Sequence, residues 1–239
     1  MRIDSRGVPN GPPLVLLHGL ASSPRCWSRT LPAVESRRHV LLVDLFDDHD
    51  PFFSLPAAAE KLAAGLAALD EPVDLVGHSL GGLVALHVAA RWRELVARLV
   101  LVDVPALRHP ARAGGRALAV AGSAVRTDLS SIGLVLGSVL RRSPVRLVSA
   151  TRATLRANVG AELEAVAGVP MLLVWGERDT IVPPGIGQAL CRRLPSAQLA
   201  IIPDAGHQPM WEKPEAFNRV LTAYLDRADA ERRPRPPAC

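Results

Sequence analysis

The feature that most constrains the fold of this 239-residue chain is an alternation of short apolar runs with longer segments of helical pattern. The apolar runs are continuous and rich in β-branched residues, as expected for strands that are buried on both faces. Because a strand, a helix and a second strand in this order pair in parallel, the alternation predicts an α/β fold. The six predicted strands cover residues 14–18, 39–45, 73–78, 97–104, 170–176 and 197–203.

The segments between these runs carry helix signals. Ser23 followed by Pro24 resembles an N-cap with proline at the first helical position, and predicts a helix through about residue 36. Ser54 and an apolar period of 3.6 residues predict a second helix over residues 54–69. Since helices alternate with strands, we expect them on both faces of the sheet. Further helices are predicted over residues 80–92, 184–194 and 211–227.

Residues 107–165 interrupt the alternation between the fourth and fifth predicted strands. Their composition is helical, but glycines and Pro144 divide the segment into short pieces. Because ligands of such sheets bind at the carboxyl ends of the strands, an insertion there is expected to cover the site as a cap. The predicted division is an α/β core over residues 1–106 and 166–228, a helical cap over 107–165, and a flexible tail over 229–239.

Arginine in the predicted cap dominates the formal net charge of +5. Nine arginines and one acid, Asp128, lie between residues 107 and 161, where no Phe, Tyr or Trp occurs. Nucleic-acid binding is not expected, because it calls for interleaved aromatics or a recognised motif. We expect a small-molecule substrate with a hydrophobic portion. Either a cap arginine pairs with an anionic group of that substrate, or these arginines face water.

The cysteines and the N-terminus indicate a compartment. Cys26, Cys191 and Cys239 are far apart and lack the spacing of a disulfide framework or a metal site. No signal peptide pattern opens the chain, and no apolar run reaches the length of a membrane span. We therefore predict a cytoplasmic protein without a membrane span. The sequence assigns no oligomeric state.

The stretch LVGHSLGGLVAL, residues 75–86, carries the first chemical signal. It contains the pattern G-x-S-x-G between a predicted strand and a predicted helix, which is the context the pattern requires. Glycines on both sides of Ser79 permit a sharp turn that exposes the serine hydroxyl. The amides of the following helix favour an anion at the same place. Ser79 is thus a candidate nucleophile, with a tight turn lacking chemistry as the alternative.

A serine hydroxyl needs a base and an orienting acid to act as a nucleophile at neutral pH. His207 follows the sixth predicted strand, and Asp179 follows the fifth. The order Ser79, Asp179, His207 is the one expected of hydrolases with this architecture. Asp103, at the end of the fourth predicted strand, is an alternative acid. We expect no metal or organic cofactor.

Four blocks of the sequence resemble the α/β-hydrolase family over residues 14–104 and 166–225: LVLLHGL, LVGHSLGG, LLVWGERDTIVPP and IIPDAGHQPMWEKPEAFNRVL. The resemblance implies a mostly parallel sheet of about six to seven strands, in which the family's N-terminal strand pair is absent or reduced to one short strand. It implies Ser79 as nucleophile, His207 as general base and Asp179 as orienting acid. It also implies an oxyanion hole formed by the backbone N–H groups of Leu20 and Leu80.

The predicted function is a serine-dependent hydrolysis of carboxylic esters through an acyl-enzyme, with thioesters and lactones as alternative substrates. A C–C bond hydrolase or lyase using the same triad remains open at this point, as does a non-catalytic ligand-binding scaffold. The sequence departs from the family pattern after LLVDL, where it has FDDHDPFF. The acids Asp47, Asp48 and Asp50 of this segment either face the cap arginines or form a solvated loop.

Overall fold

Seven strands form one sheet in the computed structural model, which describes residues 1–47, 50–107 and 143–232. The strands are β1 (Arg2–Gly7), β2 (Pro13–Leu17), β3 (His39–Asp44), β4 (Val73–His78), β5 (Val96–Val102), β6 (Met171–Gly176) and β7 (Ala197–Ile202). Their order across the sheet is β1-β3-β2-β4-β5-β6-β7. β1 is antiparallel to β3, and every other pair is parallel. The predicted fold class is confirmed.

All six strands predicted from the apolar runs are present, with ends within two residues of the prediction. β2, β4 and β6 are buried along their whole length, which explains their continuous apolar sequences. β1 was not among the six, because its sequence RIDSRG is polar and exposed. It is the single N-terminal strand that the family resemblance allows, and it lies at one edge of the sheet.

The described residues form eight α-helices: α1 (Leu31–Val34), α2 (Leu55–Leu66), α3 (Leu80–Arg91), α4 (Pro144–Arg156), α5 (Gly160–Ala165), α6 (Pro184–Arg193), α7 (Pro209–Glu212) and α8 (Pro214–Arg232). The continuous helix predicted from Ser23 to about residue 36 is wrong. A 3₁₀ turn over Pro24–Trp27 is followed by α1, in which Pro32 lies in the first turn. Proline cannot donate the hydrogen bond that a continuous helix would need there.

The helix predicted over residues 211–227 is likewise divided into α7 and α8 at Pro214. α8 continues to Arg232, so the first residues of the predicted tail are helical.

Two apolar layers hold the helices against the two faces of the sheet. One layer contains Leu62 of α2 and Leu83 of α3, and the other contains Phe217 of α8. No helix of the described residues is long and apolar enough to cross a membrane.

Helices α4 and α5 belong to the predicted cap, and residues 108–142 of that segment lie outside the described residues. α4 is attached to the loop after β3. The guanidinium group of Arg146 donates to the backbone carbonyl of Asp50, and the N–H of Phe53 donates to Ser149 Oγ at 2.8 Å. The extent of the cap stays a prediction, but its described part rests on the loop that departs from the family pattern.

The acids of that loop have nearby partners in the core. The carboxylate of Asp47 lies 3.6 Å from Arg2 Nε, and that of Asp50 lies 4.0 Å from Lys61 Nζ. Asp48 lies outside the described residues. Among the described residues, this loop contacts the cap through Arg146, which donates to main-chain oxygens, and through Ser149, which accepts the N–H of Phe53. Six of the nine cap arginines lie outside the described residues, and the pairing of the loop acids with cap arginines stays a prediction.

A buried ionic network lies at the start of β4 and β5, at the end of the sheet opposite the strands' carboxyl ends. Arg98 Nε donates to Asp74 Oδ1 at 2.5 Å, and Arg38 Nη1 donates to Asp74 Oδ2 at 2.6 Å. Both arginines also contact Asp229 of α8, at 2.7 Å from Arg98. Because Arg98 and Asp74 are almost fully buried, their charges depend on each other.

Candidate active site

Ser79 lies in the sharp turn between β4 and α3. Its backbone has φ 52° and ψ −116°, a conformation that L-residues rarely adopt. A Cβ on Gly77 would come within 2.5 Å of the carbonyl oxygen of Gly81, so only glycine fits at that position. The N–H of Ser79 donates to Val102 O of β5 at 2.8 Å, which fixes the turn to the sheet. The turn predicted from the glycines is confirmed.

The structure brings His207 to Ser79 from the loop after β7. Ser79 Oγ and His207 Nε2 are 3.1 Å apart, and His207 Nδ1 lies 2.7 Å from Asp179 Oδ2. The carboxylate can only accept, so Nδ1 carries a proton and Nε2 is left to accept the serine hydroxyl proton. The three residues that the sequence singled out therefore form one chain of hydrogen bonds.

Asp179 is held by its own loop after β6. Its Oδ1 accepts the N–H groups of Ile181 at 2.8 Å and Val182 at 2.9 Å, while Oδ2 faces His207. Burial acts to raise the pKa of Asp179, but the charge of His207 and these hydrogen bonds outweigh burial and lower it. The carboxylate thus remains ionised and directed at the imidazole.

This lowered pKa predicts that Asp179 stabilises the fold less in acid. The unfolded chain carries the carboxyl with its ordinary pKa of 3.8. The stabilisation is therefore present above that pH and is lost as the pH falls through the lower folded pKa. We expect the difference in free energy of unfolding between the wild type and Asp179→Asn to shrink from about pH 6 to about pH 3. Urea denaturation at a series of pH values measures it, and a constant difference would contradict the assignment.

Asp103 directly follows β5, the strand that lies between those leading to Ser79 and Asp179. It is fully buried, and its Oδ1 accepts the N–H of Gly176 at 3.0 Å. Of the two candidate acids, Asp179 and not Asp103 is the partner of His207 Nδ1.

Among the described residues, one group of side chains could offer three ligand atoms to a metal ion: atoms of Asp103, His78 and His207 lie within 4.8 Å of one another. Both ring nitrogens of His207 already serve the hydrogen bonds to Ser79 and Asp179.

Two residues that hold His207 in place, Glu212 and His78, were not identified from the sequence. Glu212 of α7 accepts the N–H of Gly206 at 2.7 Å and that of Gln208 at 3.0 Å, so its carboxylate fixes the backbone on both sides of His207. His78 Nε2 donates to the carbonyl of His207 at 2.7 Å. Burial, and then the charge of His207, lower the pKa of His78 to about 3, so this donor is neutral. One sequence signal could have identified Glu212: it is an acid four residues after Gln208, at the start of a predicted helix.

The loop after β2 approaches Ser79 from the other side. His18 is fully buried beneath it, with Nδ1 2.8 Å from Gly19 O, and Nε2 accepts the N–H of Leu45 at 3.1 Å. These contacts give His18 a structural role beneath the loop. Leu20 follows Gly19 in this loop, and Leu80 is the first residue of α3, whose first amides lack partners within the helix.

Gly19, in this loop, has no room for a side chain. A Cβ there would lie 2.8 Å from His78 Nδ1 and 3.2 Å from Ser79 Cβ. We expect Gly19→Ala to push the loop away from Ser79 and to lower kcat for ester hydrolysis by about 10- to 100-fold. Gly185→Ala is the matched control, because no atom lies within 4 Å of a Cβ at that position. Equal kcat values for the two variants would show that the loop does not need this close approach.

Comparison with known proteins places the chain in a family. The sequence profile described as "Alpha/beta hydrolase family" matches residues 14–220. A "Pimeloyl-[acyl-carrier protein] methyl ester esterase" of Neisseria meningitidis is 31% identical over 88% of this chain and 76% of the relative. A protein of the same name from Aeromonas hydrophila is 30% identical over 90% of this chain and 96% of the relative.

A solved structure has the same fold. The thermophilic esterase of Thermogutta terrifontis, determined with malate bound, superposes with a TM-score of 0.79. It is 23% identical, and the match covers 95% of this chain and 93% of the other. The esterase relatives favour ester hydrolysis over the C–C bond chemistry and the scaffold role that the sequence alone left open. The chain therefore belongs to the alpha/beta hydrolase family, and it is a serine hydrolase that acts on ester bonds.

Proposed function

We propose that Ser79 is the nucleophile of this hydrolase, that His207 is its general base and that Asp179 orients His207. The observation that carries the proposal is the chain of two hydrogen bonds, of 3.1 Å and 2.7 Å, that joins three residues from separate loops. A surface histidine, or a serine that only packs in a turn, does not require such a chain.

This geometry supports acyl transfer in two stages. Ser79 Oγ attacks the carbonyl carbon of the ester while His207 Nε2 accepts the hydroxyl proton. His207 then donates this proton to the alcohol oxygen, the C–O bond breaks, and the acyl group stays on Ser79. In the second stage, water attacks the acyl-enzyme with His207 again as base. The carboxylic acid leaves and the serine hydroxyl is restored.

We assign the oxyanion hole to the backbone N–H groups of Leu20 and Leu80. Leu80 begins α3, where the positive end of the helix dipole favours a negative charge. Leu20 follows the glycine that passes close to Ser79. Each such donor is typically worth about 3 to 4 kcal/mol of the barrier. Because the donors are backbone groups, their side chains are replaceable.

An activated phosphonate tests the nucleophile. A fluorophosphonate probe should label the wild-type protein on the peptide that contains Ser79, as detected by mass spectrometry after digestion. Ser79→Ala should remain unlabelled. The control Ser196→Ala changes a serine outside the proposed site, and it should react like the wild type. Labelling of a different peptide, or an unlabelled wild type, would contradict the proposal.

For the substrate, we propose the methyl ester of an acyl chain, the class named for the relatives. Two surface cavities of about 400 and 380 Å³ share Ser149 and Arg152 of α4, and no residue of the proposed triad lines either of them. Phe52 and Val148 give the first cavity an apolar lining, which suits the hydrophobic portion. The second also contains Arg156, so the pair of arginines suits a carboxylate or phosphate.

Arginine variants test the anionic group. We expect Arg152→Ala to raise KM about tenfold for the monomethyl ester of a dicarboxylic acid, because the substrate loses one charge-assisted hydrogen bond. The KM for a neutral ester of the same length should be unchanged. Arg193→Ala on α6 is the matched control. A KM that rises equally for both esters would assign Arg152 to packing rather than to charge recognition.

We also propose the division into an α/β core and a helical cap stated above, with α4 and α5 in the cap, and a cytoplasmic location. The free thiols of Cys26 and Cys191 support that location, since they suit a reducing compartment.

A further inference from the structure

Asp103 is a buried acid that the hydrolytic mechanism above does not use. It follows β5, in the middle of the strands that lead to the three triad residues, and its exposed fraction is 0%. Its N–H donates to Val174 O of β6 at 3.0 Å, and its backbone has φ 48°. An acid held this firmly in an unfavourable backbone conformation calls for an explanation beyond packing.

The two carboxyl oxygens of Asp103 have different surroundings. Oδ1 accepts the N–H of Gly176, whereas Oδ2 has no hydrogen-bond partner among the described residues. A buried carboxylate oxygen without a donor is strongly destabilising. An oxygen that carries a proton is itself a donor, however, and then needs only an acceptor.

The carboxylate of Asp179 is that acceptor, because it lies close enough to Asp103 for a hydrogen bond between the two side chains. The carboxylates of Asp179 and Glu212 act on it, and ring nitrogens of His78 and His207 lie within 4.8 Å of one of its oxygens. His78 is neutral, as described above. Burial, followed by the negative charge of Asp179, raises the pKa of Asp103 well above its ordinary value.

We propose that Asp103 is a neutral carboxylic acid at neutral pH and that its Oδ2–H donates a hydrogen bond to the carboxylate of Asp179. Asp103 is thus a positioning residue: it holds Asp179 against His207 without placing a second negative charge beside the pair. The inference rests on the proposed triad of Ser79, His207 and Asp179.

Two variants fit the unusual backbone at this position. Asparagine tolerates a positive φ and retains a neutral donor in place of Oδ2–H. Glycine accepts the same φ without strain and removes the side chain. Asp103→Asn and Asp103→Gly therefore separate the donor from the backbone conformation.

Kinetics of ester hydrolysis give the first readout. We expect Asp103→Asn to keep kcat within about threefold of the wild type, and Asp103→Gly to lose about tenfold in kcat with little change in KM. In the glycine variant alone, the acid limb of the kcat/KM profile should move to higher pH. Without its donor, the charge of Asp179 acts more strongly on the protonated imidazole. A purely structural residue would not move this limb.

Infrared spectroscopy gives a readout that is independent of activity. The wild type at neutral pH should show the C=O stretching band of a protonated carboxylic acid, and Asp103→Asn should lack that band. Absence of the band from the wild type would overturn the proposal. Should the glycine variant fail to fold, the asparagine variant and the infrared spectrum still decide the question.

Asp179→Asn completes the comparison. Our proposal requires this variant to lose far more activity than Asp103→Asn. If Asp103→Asn is the inactive variant and Asp179→Asn remains active, then Asp103 is ionised and orients His207, and the proposal fails. Failure of the proposed function is a separate result, since it appears as an unlabelled Ser79 in the wild type treated with the phosphonate.

Discussion

Replacing His207 with glutamine is expected to lower kcat for ester hydrolysis by a factor on the order of 10⁵, with a much smaller change in KM. Glutamine can hold a hydrogen bond to Ser79 Oγ, but it cannot accept the hydroxyl proton at neutral pH. The attack therefore lacks its base, and the leaving alcohol lacks its acid. Single-turnover hydrolysis of a p-nitrophenyl ester measures the chemical step directly.

His39→Gln is the matched control for this variant. His39 lies on β3 and contacts Ser5 Oγ at 2.9 Å, in an exposed part of the sheet edge. Its loss should leave kcat within about twofold, because it touches no group of the proposed site. Activity of His207→Gln within about tenfold of the wild type would assign the proton transfer to another residue.

The second large effect is expected on stability. Removing Arg98 leaves the carboxylate of Asp74 buried with one guanidinium partner instead of two. Breaking a buried ion pair from one side typically costs about 3 to 5 kcal/mol, because the remaining charge is uncompensated. We expect Arg98→Ala to lower the free energy of unfolding by that amount and Tm by about 10 °C. Urea denaturation and thermal unfolding measure the two quantities.

Arg37 provides a control that differs mainly in burial. Like Arg98, it pairs with an aspartate of α8, at 3.3 Å from Asp226, but both side chains are more than half exposed. Exposed pairs contribute about 0 to 1 kcal/mol, so Arg37→Ala should change stability little. Similar losses for Arg98→Ala and Arg37→Ala would mean that burial of the network does not determine its contribution.

How far the sequence predicts the fold depends on burial. The inner strands are recognisable because both of their faces are covered, which requires apolar residues at every position. β1 has no such requirement at the sheet edge, so its polar sequence carries no strand signal. The predicted helix boundaries were wrong where a proline interrupts the helical pattern, as at Pro32 and Pro214. There the missing backbone donor outweighed the signals from caps and periodicity.

The residues of the candidate site that directly follow a parallel strand were predictable from the sequence. Ser79, Asp179 and His207 each follow a strand, and the carboxyl ends of parallel strands lie at one edge of the sheet. The supporting residues were not predictable in the same way. Glu212 acts through backbone N–H groups, and the proposed protonation of Asp103 depends on its burial and on the charge of Asp179 beside it. Neither property follows from residue spacing.

The pairing of β5 with β6 gives this hydrolase a modular construction. The chain leaves the sheet after Val102 and re-enters it at Met171, on the adjacent strand, in a register where Leu99 pairs with Met171. Both ends of the intervening segment are thus fixed by sheet hydrogen bonds, and the entropy of closing such a connection grows only slowly with its length. We therefore expect the proposed triad to stay in place when residues 107–165 are exchanged for the corresponding segment of a relative. Chimeras of this kind would combine the same triad with different substrate specificities.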